Sequence, residues 1–266
     1  MSTVASFVPR ARPSVFKDVV LPREHGSWSL AFEPMALGLL VAPSIAGGLL
    51  ALALSAGFFA RRPLRICFNE PRAERRATAR GALAVCATVG VLAITSAILL
   101  AGFHWLIWLA PVACAGAVFA HFDRRGAGRE EAAEIAGSAA FAMVPAALAI
   151  LGGLNSFQAL ALAMVVLGRS VPSVLCVRAF LREKKTGVRC NTAALVTACI
   201  AVLVTTALYE RGLVSWFAYA CLVALALRAF SLLVLFRPAW RARTVGMTEA
   251  IIGIVFVVGV ALTLRA

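Results

Sequence analysis

Charge is scarce in this sequence. Only 14% of its 266 residues are charged, and acidic residues number 12 against 26 Lys and Arg. A soluble domain carries about a quarter charged residues, so this chain has too little polar surface to cover a water-soluble fold. That excludes an ordinary globular enzyme and a disordered chain. Cysteine is thinly used as well: seven residues, with no Cys-x-x-Cys pair, follow neither a disulfide framework nor a metal-binding spacing. The first 27 residues lack an apolar core and a small-residue cleavage site, so no secretory signal is expected. Nothing repeats at a solenoid period.

What is abundant is apolar surface: 62% hydrophobic residues and a mean hydropathy of +0.91. Nine apolar runs stand out, at 28–45, 46–60, 81–101, 104–120, 133–151, 155–176, 191–208, 213–236 and 249–264. Several approach the ~20 residues a bilayer requires. Short connections at 44–48, 102–104 and 152–155, each with glycine, suit antiparallel neighbours. The expectation is an all-α polytopic membrane protein: a leader over 1–27, then a single nine-helix transmembrane domain over 28–266.

The cations set its orientation. Segments 1–27, 61–80, 121–131, 176–190 and 237–248 hold 22 of the 26 Lys and Arg, and the alternate connections hold almost none. By the positive-inside rule the N-terminus is cytoplasmic and the C-terminus outside. Topology absorbs most of the basic excess, so a lipid bilayer is the expected partner and nucleic acid is not.

Ionisable residues at membrane depth mark functional sites by default. Glu33, Glu134, Arg169, Arg228 and Glu249 qualify. Arg169 and Arg228 each lie nine residues before a basic boundary, about 13 Å deep at 1.5 Å per residue. All five fall in the cytoplasmic half, which suggests a cavity open to that side. The competing reading is that the charges pair to hold the bundle together, with Glu134 and Glu249 at helix starts favoured by the N-terminal dipole.

In the opening Pro22-Arg23-Glu24-His25-Gly26-Ser27-Trp28, a helix starting near Pro22 puts His25, Ser29 and Glu33 on one face. Pro34 then removes a backbone bond next to Glu33. Segment 61–80 offers Asn69, Glu70, Arg72 and Glu74 among further arginines, where carboxylates could hold Mg²⁺ and guanidiniums a phosphate. Glu–Arg pairing on a solvated loop explains it equally well.

The 22–28 opening resembles the Pro-x-x-His-Gly-Ala-Trp start of the YwiC-like family of bacterial membrane proteins, with Ser27 in place of Ala. Arg182-Glu183-Lys184-Lys185 is similar to that family's basic loop, and Val245-Gly246-Met247-Thr248-Glu249 to its Val-Gly-Ile-x-Glu motif. The resemblance gives identity more than activity. Nine helices with polar groups at the inner face also resemble the UbiA prenyltransferase superfamily. That likeness implies a prenyl diphosphate bound through Mg²⁺ on two Asp-rich motifs. Asn69-Glu70-x-x-x-Glu74 stands where the first would fall, in degraded form. Where the second should follow the sixth span, the chain has Arg178, Arg182, Lys184 and Lys185 and no Asp pair. Mg²⁺ is therefore expected only if the UbiA-like reading holds; basic residues also hold phosphate without metal.

Three functions stay open: a membrane-embedded transferase acting on an isoprenoid or phospholipid, a small-anion or metabolite transporter, and a non-catalytic lipid-binding or assembly protein. His25, Glu33 and Asp123 are the acid–base candidates. Arg23, Glu24, Asn69, Glu70, Arg72, Glu74, Glu134, Arg169, Arg178, Arg182, Arg228 and Glu249 are the ligand-binding candidates.

Overall fold

The structure is a computed structural model, and it describes residue 19 and residues 25–189, 191–236, 240 and 242–265. Among the described residues it contains nine helices and no strand. They are α1 (His25–Val41), α2 (Ile45–Asn69), α3 (Ala73–Ala101), α4 (Ala110–Arg124), α5 (Glu131–Leu151), α6 (Ser156–Thr186), α7 (Thr192–Glu210), α8 (Trp216–Phe230) and α9 (Ala242–Arg265). A 3₁₀ turn, His104–Leu109, leads into α4, and a π turn, Ser231–Leu235, extends α8. Eight are long and apolar enough to cross a bilayer; the apolar part of α1, Trp28–Val41, is shorter.

The ends follow local chemistry. The Ser44 side chain accepts a hydrogen bond from the Gly47 amide at 2.9 Å and starts α2, so 45–48 is the first helical turn and not part of the connection. Asn155 and Gln158 form a reciprocal capping box on α6. Gly187 ends that helix at φ +71°, a left-handed conformation that glycine adopts without a Cβ clash.

Three boundaries differ from expectation, because hydropathy stops at charge while the backbone does not. Arginine is a good helix former. α2 therefore continues through Arg61, Arg62 and Arg65 to Asn69, and α3 begins at Ala73. The expected loop 61–80 shrinks to a short link. α9 begins at Ala242 and not near Glu249, so Glu249 lies beyond the first turn and the helix-dipole explanation no longer accounts for it. Helix α6 has 31 residues, about 46 Å long against a ~30 Å hydrocarbon core. Its final turns carry Arg178, Arg182, Lys184 and Lys185 and make this the basic end of the bundle.

α1 packs between α5 and α9, α6 packs on α5 and α7, and α8 on α7 and α9. α2 and α3 form a hairpin, and α4 leans mainly on α5. Small side chains such as Ala146, Ala149, Ala159 and Ala163 fill the main core, which lets backbones approach closely. At Gly38 a Cβ would stand 2.7 Å from the Leu148 side chain and 3.2 Å from the Pro145 backbone, so the α1–α5 crossing requires glycine there.

Candidate functional site

Two polar features meet near the bundle centre. The first is a chain of ion pairs linking four helices. Glu33 of α1 meets Arg169 of α6 at 2.7 Å. Arg169 also donates to the Glu249 carbonyl of α9 at 3.4 Å, and the Glu249 carboxylate meets Arg228 of α8 at 2.5 Å. The Ser29 hydroxyl, one turn before Glu33, donates to the same carboxylate. Arg169 is only 5% exposed, with its guanidinium 5.4 Å from the centre of the Phe256 ring. Gly253 of α9 makes room for this arrangement, because a Cβ there would coincide with the Glu33 carboxylate. The chain is not saturated: Arg169 Nε and one terminal nitrogen of Arg228 have no hydrogen-bond partner.

The second feature is a cavity of about 2560 Å³ walled by α2, α4, α5, α6 and α9. Toward its interior the walls are apolar, with Leu54, Phe58, Val112, Phe119, Phe141 and Val144. Phe58 and Phe141 belong to an aromatic group with Trp28, Phe32 and Phe59. Toward the basic end the lining is charged. Nine cations (Arg61, Arg65, Arg124, Arg129, Arg169, Arg178, Arg182, Lys185 and Arg243) face four carboxylates (Asp123, Glu131, Glu134 and Glu249).

Several of these are engaged. Arg61 holds Asp123 through two nitrogens at 3.0 and 3.3 Å and lies 4.4 Å over the Phe119 ring. Arg178 binds Glu134 at 2.6 Å and the Arg129 carbonyl at 2.9 Å. Among the described residues, Arg65, Arg124, Arg182, Lys185 and Arg243 make no ion pair. They come from four different helices and converge on one space.

The expected site residues divide accordingly. Asn69, Asp123, Glu134, Arg169, Arg178, Arg182 and Glu249 line the cavity. Glu33 and Arg228 stand behind it, joined to it through Arg169 and Glu249. Glu70 is tied to Arg75 at 3.0 Å, while Arg72 and Glu74 are exposed at the start of α3 and do not line the cavity. Arg23, Glu24 and the His25 side chain lie outside the described residues. The Mg²⁺ implied by the UbiA resemblance does not fit here. Asn69, Glu70 and Glu74 do not converge, and no group of three or more acidic, His or Cys side chains suited to a metal gathers among the described residues.

Sequence reasoning had Arg61 and Arg65 only as members of the basic segment 61–80, able to hold a phosphate beside Glu70 and Glu74, and it missed Arg124 and Arg243. A signal existed for the first two: Gly57, Arg61 and Arg65 recur every four residues, which places them on one helical face. No comparable signal pairs Arg61 with Asp123, 62 positions away.

No curated protein and no solved structure matches the chain. Residues 21–149 match the family described as YwiC-like protein. The matched stretch runs to the end region of α5 and carries Glu33, Arg61, Asp123 and Glu134, while Arg169, Arg228 and Glu249 lie beyond it. Over residues 21–149, just under half of its length, the chain is similar to that family, in keeping with the resemblance carried by the 22–28 opening.

Proposed function

We propose that this protein binds the phosphate or diphosphate head of an isoprenoid or other membrane lipid at the basic end of its cavity. In this reading the basic end faces the cytoplasm of a bacterial inner membrane, with the N-terminus inside and the C-terminus outside. The observation that carries it is the lining: nine cations against four carboxylates at one end, aromatic and aliphatic walls toward the other. An excess of five positive charges in a confined space suits a head bearing more than one negative charge. Guanidiniums suit phosphate oxygens because their planar fork donates paired hydrogen bonds. The deeper apolar walls suit a chain, each CH₂ gaining about 0.8 kcal/mol on burial relative to water. A free inorganic anion gains nothing from them.

Arg169 and Arg228 are already engaged by Glu33 and Glu249. The head therefore falls to Arg65, Arg124, Arg182, Lys185 and Arg243, with the ion-pair chain as a rigid inner wall. Catalysis would fall to Asp123 or Glu134 at the cavity wall, both held by arginines in this state, or to His25.

The test is binding by the purified protein in nanodiscs, with farnesyl diphosphate and farnesol as probes. Farnesyl diphosphate should bind more tightly, and Arg65→Gln with Arg182→Gln should weaken it at least tenfold while leaving farnesol unchanged. Equal affinity for the alcohol and its diphosphate would overturn the reading.

A further inference from the structure

Two walls of the cavity, α2 and α4, face each other but scarcely pack together. α2 packs chiefly on α3, and α4 chiefly on α5 and the 3₁₀ turn before it. No residue of α4 is buried, a rare condition for a helix in a bundle. It means that both its lipid side and its cavity side are uncovered by protein. The lining positions form continuous stripes: Leu54, Gly57, Phe58 and Arg61 on α2, and Val112, Gly116, Phe119 and Asp123 on α4. At about half height each stripe carries a glycine, and a Cβ at Gly57 or Gly116 would meet nothing within 4 Å. The cavity is thus open between these helices, and its side walls there are apolar. At the basic end the same two stripes are joined by the Arg61–Asp123 ion pair, seated on Phe119.

We infer that the seam between α2 and α4 is a tail site: it takes one hydrocarbon chain of a phosphate-headed lipid, entering sideways from the bilayer. This rests on the reading of the cavity as a lipid-phosphate site and adds where the chain lies and how it arrives. The geometry supplies the reason. A lipid entering through the basic end must pull its chain through water past a ring of arginines, whereas a lipid sliding between α2 and α4 keeps its chain in an apolar medium throughout. The Arg61–Asp123 bridge marks the boundary between the two chemistries, apolar seam on one side and unpaired cations on the other. A free phosphate, which shares the head chemistry, has no use for the seam.

The experiment fills the seam without touching a cation. Gly57→Trp and Gly116→Trp each add bulk in open space, so the bundle need not rearrange. Gly81→Trp on α3, where a Cβ also meets nothing within 4 Å and which does not line the cavity, is the control. Affinities for geranylgeranyl diphosphate and for inorganic diphosphate are measured on the full-length protein in nanodiscs. Either seam variant should weaken the lipid at least tenfold and leave inorganic diphosphate within twofold, with Gly81→Trp changing neither. Retained diphosphate binding doubles as the check that the variant is folded. Unchanged lipid affinity in both seam variants would overturn the tail site while leaving the lipid-phosphate reading intact. Loss of both ligands in seam variants whose melting temperature is unchanged would place Gly57 and Gly116 at the head and also overturn it. Failure of the unaltered protein to bind either ligand would overturn the reading on which it rests.

Discussion

Glu33 is the residue whose surroundings are most tightly determined. It sits between Ser29 on its own helix, Arg169 on α6 and the bare backbone of Gly253 on α9. Removing one member of a buried ion pair leaves the other charge uncompensated, which costs about 3–5 kcal/mol. Glu33→Gln should therefore lower the unfolding midpoint in detergent sharply. The double variant Glu33→Gln, Arg169→Gln should be less damaged than the sum of its parts, because the orphaned charge is gone. Additive losses would show that the pair is not energetically coupled. Gly253→Ala probes the same point from the opposite side. The new methyl group meets the carboxylate, so a loss of about 1–3 kcal/mol is expected from overpacking. An unchanged melting temperature would contradict the observed approach. The chemical type of these residues was legible in the sequence, since charge in an apolar run is conspicuous. Which acid meets which base was not, because hydropathy carries no azimuth around a helix and the Glu33–Arg169 contact spans about half of the chain.

At the scale of the helices, length and polarity were legible and ends were not. The nine apolar runs correspond one to one with helices, but α2 and α9 extend well past their apolar parts through Arg-containing turns. Charge at a helix end reports where water begins, not where the hydrogen-bond ladder stops. The capping box on α6 is a sharper local signal. Its Asn155 oxygen accepts from the Gln158 amide at 3.0 Å, and Gln158 answers with its own side chain at 3.3 Å. Asn155→Ala should cost about 1 kcal/mol, read as a small drop in melting temperature, with Asn155→Asp restoring most of it. A full-size loss in Asn155→Asp would mean that the side chain acts otherwise than as a cap. Lipid binding should be indifferent to both substitutions, since residue 155 does not line the cavity.

For the whole molecule, the alternation of basic and bare connections predicts orientation. Reporter fusions within 125–130 and after the last helix should report opposite faces of the membrane, the former cytoplasmic. Fusions reporting the same face would overturn the placement of the basic end. The membrane-spanning bundle was readable from composition alone. The cavity was not, since it arises from two helices that fail to pack, and nothing in the periodicity of α2 or α4 distinguishes a wall facing a cavity from one facing lipid.

The ion-pair chain also has a consequence in time. Glu33 is made early and its partner Arg169 is 136 residues further along. At a synthesis rate of about 5–20 residues per second, roughly 7–27 s separate them. Throughout that interval the growing chain carries an uncompensated carboxylate in α1, whose apolar part falls short of the length that spans a bilayer. In an otherwise cysteine-free chain carrying Leu37→Cys, a nascent chain stalled before α6 should accordingly leave that thiol open to a membrane-impermeant maleimide, and one stalled after α9, where Leu37 is buried, should not. Membrane insertion of the first helix is in this sense a late event, completed only when the last helices arrive to receive it.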